Sequence, residues 1–279
     1  VKINERTPQR LLDKVLTMIR EGHTSFVFVC QPGMIKSLMG CYGTTYEEAR
    51  DADISGCNEM HVKANEGCMI SALPNAAKAI SYVINNGYDM VIHKQMGIET
   101  GEFTEFQDFA DVYQAFLKQF AYILDTVIDI SNQREYLVAE VNPSIMYSAT
   151  MERSLQKAVD GYAFGVKYPT STILLCSFAT AVDSLMAIKE LVFDTGQTTL
   201  QELKDAVNHN WVGYEELRRK ALNARHKYGN SDEEADLYAS AVFKWFSMYV
   251  NGRKNSRTLS WNNNKPPVHR DRRFVSKDQ

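Results

Sequence analysis

The feature that most constrains the fold is a long apolar stripe at helical spacing in the middle of the chain. The stripe consists of Phe109, Val112, Phe116, Phe120, Ile123 and Val127. Residues three and four apart share one face of an α-helix, so the stripe predicts the longest helix, from Thr104 or Asp108 to at least Asn132. We interpret this aromatic face as core packing rather than as a binding site.

Composition and charge indicate a globular protein. The chain has 279 residues, of which 44% are hydrophobic and 23% charged, which is enough to bury a sizeable core. A formal net charge of -3 predicts no general affinity for nucleic acid or for membranes. The longest apolar runs, such as Thr172 to Phe178, are too short to span a bilayer.

The N-terminus and the cysteines indicate a cytoplasmic location. Residues 1–10 are polar and lack a signal-peptide pattern. The chain has five cysteines, an odd number that favours free thiols in a reducing cytoplasm. Because Val1 stands in place of Met, we expect the chain to begin inside a longer one.

The first 60 residues predict alternating helices and strands. A helix over residues 10–21 precedes Ser25–Cys30, an apolar run that predicts a buried strand. Thr45 and Glu48 form a capping-box pattern that predicts a helix from Tyr46 to Ala52. This order is typical of an α/β protein with a buried parallel sheet. Further helices are predicted after Pro74 and over residues 144–159, 179–193 and 233–249.

The best candidate for a reactive thiol lies in the loop after the capping-box helix. Gly56 permits a close backbone approach just before Cys57. In an extended segment, the spacing of Cys57 and Glu59 can point both side chains to one side. A buried cysteine beside a surface glutamate explains the same spacing. A zinc site from Cys57, His61 and Cys68 lacks paired ligand spacing, so we expect no bound metal.

The C-terminal segment differs in composition from the rest. Beyond residue 257 it is basic and rich in asparagine and proline, which predicts little regular structure. We therefore expect one domain over residues 1–257 and an irregular or non-native tail over residues 258–279. Nucleic-acid binding by this tail is the less favoured interpretation.

Four ordered motifs resemble the glycyl radical enzymes of the pyruvate formate-lyase-like family. They are residues 43–51 with residues 56–59 (Gly-Cys-Asn-Glu), Lys167-Tyr168, Val182–Lys189 and Lys227–Glu233. The resemblance implies part of a β/α barrel with many long helices and a central finger loop that carries Cys57. Departures at Asn58, Met60 and Pro169 indicate an unusual subfamily.

The resemblance also implies a reaction. Cys57 would carry a thiyl radical and Glu59 would be the acid/base group of a lyase that cleaves C–O or C–C bonds, of dehydratase or decarboxylase type. His61, His93 and Tyr168 are the expected substrate contacts. Acyl transfer of the formate acetyltransferase type is less favoured, because Cys57 has no adjacent cysteine.

The cofactor and partners follow from the same resemblance. The radical would reside on a glycine absent from this chain, since no glycine follows Gly252, and no metal would bind directly. A radical S-adenosylmethionine activating enzyme, a small-molecule substrate and a second copy of the full-length chain are the expected partners. The chain then represents an internal fragment, inactive by itself. A non-catalytic fragment or a helical scaffold or binding protein is the alternative from another class.

Overall fold

The computed structural model describes residues 1–55, 59–63, 66–67, 69–163, 165–255 and 274–277, and it is mainly helical. The helices are α1 (Gln9–Arg20), α2 (Gln31–Tyr42), α3 (Tyr46–Asp51), α4 (Ala76–Ile84), α5 (Phe109–Val141), α6 (Ile145–Ser148), α7 (Glu152–Lys157), α8 (Phe178–Ile188), α9 (Leu200–Asn208), α10 (Glu215–Leu222) and α11 (Glu233–Val250). A 3₁₀ turn covers Phe103–Glu105, and a π-helical segment, Lys189–Asp194, extends α8.

The strands are short. They are β1 (Lys2–Ile3), β2 (Val29–Cys30), β3 (Asp53–Ser55), β4 (Glu59–His61), β5 (Met69–Ala72), β6 (Tyr88–Asp89), β7 (Lys94–Gln95), β8 (Ser171–Leu174) and β9 (Phe274–Lys277). The pair β1–β2 is parallel, and the pairs β3–β4 and β6–β7 are antiparallel. The remaining strands form a sheet in the order β5–β8–β9.

The chain divides into two compact units. Unit 1 comprises Val1–Met69, Glu135–Thr172 and Asn251–Gln279, and unit 2 comprises Ile70–Arg134 and Ile173–Val250. Each unit is therefore built from segments that are distant in sequence.

The core of unit 2 is aromatic. Phe116, Phe120 and Phe246 have no exposed surface. The Phe120 ring stacks on Phe116 at 5.8 Å and on Phe246 at 6.0 Å between ring centroids. These contacts join α5 to α11, so the aromatic stripe is core packing as predicted.

The core of unit 1 is a smaller apolar cluster between α2, α3 and β4. Its buried members are Met34, Leu38, Ala49, Ala52 and Val62, and the side chains of Met60 and Tyr168 pack against it. At the start of α3 the Thr45 hydroxyl accepts from the Glu48 main chain while the Glu48 carboxylate accepts from the Thr45 main chain, which confirms the predicted capping box.

One predicted strand is wrong in extent and in burial. Within Ser25–Cys30 only Val29 and Cys30 form a strand, and Val27 is 41% exposed. The reason is that the pairing partner, β1, has only two residues, so the ladder ends after two residue pairs. By contrast, β8 is buried along its whole length.

The mixed α/β class is confirmed, whereas a closed barrel remains a prediction. The tail prediction also stays untested, because residues 256–273 and 278–279 lie outside the described residues. In the part of the chain that the structure describes, no helix is both long and apolar enough to cross a bilayer.

Candidate active site

The candidate site is built on the β3–β4 hairpin of unit 1. Its strands pair in antiparallel register, with Asp53 opposite His61 and Ser55 opposite Glu59. Cys57 belongs to the connection between these strands, residues 56–58, which lies outside the described residues. The structure therefore establishes the flanking strands of the predicted finger loop but not the position of its thiol.

Strand β4 presents two different faces. Met60, and Val62 directly after the strand, pack into the apolar cluster of unit 1. Because side chains alternate along a strand, Glu59 and His61 lie on the opposite face. Glu59 is nevertheless only 5% exposed. The sequence alternative of a surface glutamate is therefore wrong, and the carboxyl group two residues after Cys57 is sheltered from water.

His61 makes a defined contact that fixes its tautomer. Its Nε2 lies 3.0 Å from the main-chain carbonyl oxygen of Glu66. A carbonyl oxygen only accepts, so Nε2 carries a hydrogen and donates it. The same carbonyl accepts a hydrogen bond of 3.1 Å from the Tyr147 hydroxyl. One ring nitrogen of His61 is thus already engaged by the protein.

Tyr168 belongs to a polar cluster with α3. Its hydroxyl donates to Glu48 at 2.8 Å, and the Lys167 ammonium donates to the other carboxylate oxygen at 2.6 Å. Burial raises the pKa of the Glu48 carboxyl, but the hydrogen bonds from Lys167, from the Thr45 main chain and from Tyr168 outweigh it and lower that pKa to about 2. Glu48 therefore stays ionised and holds the Tyr168 side chain in place.

His93 lies in the other unit. It occupies the turn between β6 and β7, is exposed, and has a left-handed backbone with φ of 52°. Glu59, His61 and Tyr168 are all in unit 1, and the last two meet through the Glu66 segment. The structure thus assigns Glu59, His61 and Tyr168 to one unit and His93 to the other.

No metal centre is evident in the described part of the chain, where no group of three or more His, Cys, Asp or Glu residues could hold an ion. Two members of the zinc site considered above, Cys57 and Cys68, lie outside the described residues. Of the three residues of the zinc alternative, only His61 is among the described residues. Its Nε2 donates to a carbonyl oxygen, so that nitrogen is engaged by the protein.

The family follows from the sequence match. The model of the pyruvate formate lyase-like family matches residues 1–266. The chain belongs to the pyruvate formate lyase-like family. The match covers the β3–β4 hairpin, the Lys167-Tyr168 turn and the last helix, so both units come from the family.

Two relatives in this family are dehydratases. The chain is 32% identical over 253 residues to trans-4-hydroxy-L-proline dehydratase of Clostridioides difficile, a match that covers 91% of this chain and 32% of the relative. It is 32% identical over 260 residues to (2S)-3-sulfopropanediol dehydratase of Klebsiella oxytoca, covering 92% and 31%. The chain thus spans about a third of the length of the curated relatives it matches.

The fold agrees with a solved member of the family. Hydroxyproline dehydratase from Clostridioides difficile, in a crystal structure with trans-4-hydroxy-L-proline bound, superposes with a TM-score of 0.85 at 29% identity. The superposition covers 100% of this chain and 34% of that one.

No sequence motif points to Glu66, which is the most deeply buried carboxylate among the described residues of the site, at 0% exposure. Its side-chain partner Thr170 is 104 residues away in sequence. No local spacing could have revealed that contact. The four-residue separation from Val62, whose main chain bonds to Glu66, is the one local sign.

Proposed function

We propose that the complete protein to which this chain belongs is a radical lyase of dehydratase type. Cys57 would carry the hydrogen atom and Glu59 would carry the proton. The observation that carries the proposal is the burial of Glu59, two residues after Cys57, on a hairpin of a pyruvate formate lyase-like chain. Dehydratase chemistry is favoured over decarboxylation because the two relatives at 32% identity are dehydratases.

A glycine radical outside this chain would supply the initial acceptor for a hydrogen atom. Cys57 would give up its thiol hydrogen and, as a thiyl, take a hydrogen atom from a substrate carbon. That step re-forms the S–H bond and leaves the unpaired electron on carbon. Glu59 would deliver a proton to the departing hydroxyl on the neighbouring carbon, so that water leaves, and would take a proton from the O–H or N–H group next to the carbon radical. Cys57 then returns a hydrogen atom to the product radical.

The position of Glu59 suits this role. An acid/base group must reach the substrate while bulk water is kept away from the radical. The burial of Glu59 supports the second condition, since this residue is 5% exposed on a strand whose other face packs into an apolar cluster. Burial also strengthens the electrostatic contact between its carboxyl group and a bound hydroxyl.

The finer features of the fold and site remain part of this proposal. Cys57 would occupy the tip of a finger loop inside a β/α barrel that the complete chain closes. His61 would contact substrate through the ring nitrogen that Glu66 does not engage, and Tyr168 and His93 are the further predicted contacts. A radical S-adenosylmethionine enzyme would install the radical, and the complete chain would form a homodimer in the cytoplasm.

The test is Cys57→Ser in the activated full-length enzyme. We expect turnover to be abolished, because an O–H bond is too strong to exchange hydrogen with an activated C–H bond. The glycyl radical signal in electron paramagnetic resonance should remain. Cys41→Ser, at an exposed cysteine of the same unit, is the matched control and should keep wild-type turnover. Turnover by Cys57→Ser would refute the proposal.

A further inference from the structure

Glu66 is a buried carboxylate with a donor at each oxygen. The side chain has no exposed surface. Oε1 accepts a hydrogen bond of 2.7 Å from the Thr170 hydroxyl, and Oε2 accepts one of 2.9 Å from the main-chain N–H of Val62. Burial of a carboxylate is costly unless such bonds are made, so removal of one donor weakens the whole arrangement.

The two donors flank different strands. Val62 directly follows β4, which carries Glu59, and Thr170 directly precedes β8. The main chain of Glu66 reinforces the first attachment, because its N–H donates to the Val62 carbonyl at 3.1 Å. Glu66 therefore holds both main-chain polar groups of Val62 and links the end of β4 to the start of β8.

Strand β4 needs such an anchor. It has three residues and pairs with a three-residue partner, and an isolated hairpin of this kind is at best marginally stable. The apolar cluster holds Met60 and Val62, but apolar packing is non-directional. Hydrogen bonds to Val62 add the direction that a reacting carboxyl group requires.

We propose that Glu66 is a positioning residue that fixes β4 and thereby the carboxyl group of Glu59. This inference rests on the proposed function, since the position of Glu59 matters only if that group carries the proton. Misplacement of a reacting group by about 1 Å can lower a rate by about a hundredfold.

The proposal predicts a selective defect. Abstraction of a hydrogen atom by Cys57 does not require Glu59, whereas loss of water does. A displaced β4 should therefore lower product formation while recovered substrate still gains deuterium from heavy water. General damage to the fold would instead lower both together. The informative quantity is the ratio of deuterium incorporation to product formation.

The main variant is Thr170→Val in the activated full-length enzyme, with Thr170→Ser as its matched control. Valine keeps the shape of threonine and removes the donor to Glu66, whereas serine keeps the donor. We expect Thr170→Val to lower kcat about 10- to 100-fold and to raise the ratio by a similar factor, with the glycyl radical signal retained. Thr170→Ser should stay within about twofold of wild type in both quantities.

Two further variants keep the proposal falsifiable. In Glu66→Gln the amide oxygen can accept from Val62 and the NH₂ group can donate to the Thr170 hydroxyl, so near-wild-type turnover is expected. Tyr147→Phe removes a donor to the Glu66 carbonyl and should raise the ratio of deuterium incorporation to product formation by about two- to threefold. If Thr170→Val does not fold, this increase tests the positioning role in its place.

The outcomes separate this inference from the proposed function. Equal loss of exchange and product in Thr170→Val, or no change in either, would overturn the positioning role, as would inactivity of Glu66→Gln. Glu59→Gln measured in parallel tests the underlying function. Suppose that Glu59→Gln stops product formation while Thr170→Val leaves the ratio of deuterium incorporation to product formation unchanged. The positioning role of Glu66 then fails, and the proposed function stands.

Discussion

The segment around Glu59 and Glu66 in unit 1 and the aromatic core around Phe120 in unit 2 are both nearly dry, yet different forces hold them. Phe120 is surrounded by other rings, and its burial is favourable by itself. Glu66 is tolerated only because donors reach both of its oxygens. Apolar packing is non-directional, whereas the hydrogen bonds of a buried carboxylate fix its neighbours in direction. The proposed proton transfer takes place in the segment around Glu59 and Glu66, where hydrogen bonds fix the geometry.

The largest expected stability effect tests the apolar side of this comparison. Phe120→Ala should lower the free energy of unfolding by about 3–5 kcal/mol, because it removes a fully buried ring and leaves a cavity. The measurement is the shift in the urea midpoint. Ile130→Ala on the same helix, at a residue 59% exposed, should change the free energy by less than about 0.5 kcal/mol. Equal shifts in the two variants would contradict the assignment of this core.

A smaller effect is expected in the polar cluster of unit 1. Glu48→Ala removes the capping-box partner of Thr45 and the acceptor for Lys167 and Tyr168, so it should cost about 1–2 kcal/mol in the same experiment. Glu47→Ala, one residue earlier and exposed, is the control and should be nearly neutral. A neutral Glu48→Ala would show that this cluster does not stabilise α3.

The part of the Glu48 contribution to the free energy of unfolding that depends on pH is expected to be smaller still. The pKa of Glu48 is about 2 in the folded protein against an ordinary value of 4.5, so its ionised form is favoured by folding. The contribution is fully present above about pH 4.5 and is lost as the pH falls toward 2. The stability gap between wild type and Glu48→Gln, followed by urea unfolding, should narrow across that window. A gap that stays constant would mean that the Glu48 charge does not contribute.

The two regions also differ in how far the sequence predicts them. The stripe from Phe109 to Val127 predicts α5 because helical periodicity is local, and the Thr45–Glu48 pattern predicts the start of α3 for the same reason. Strand pairing is not local. The run Ser25–Cys30 looks like a buried strand but pairs over two residues only.

The candidate site was predictable in part. The pair Cys57 and Glu59 follows from motif and spacing, whereas the burial of Glu59 is visible only in the fold. The bond between Glu66 and Thr170 joins residues 104 positions apart, and each residue alone looks like an ordinary polar loop residue. Contacts of this kind require the fold.

The most direct test of the central claim, that Glu59 carries the proton after Cys57 has taken the hydrogen atom, is Glu59→Gln in the activated full-length enzyme in heavy water. The carboxamide keeps the size of the side chain and removes its acid/base function. We predict no detectable product, together with deuterium in the recovered substrate. Product formation at the wild-type rate would contradict the account.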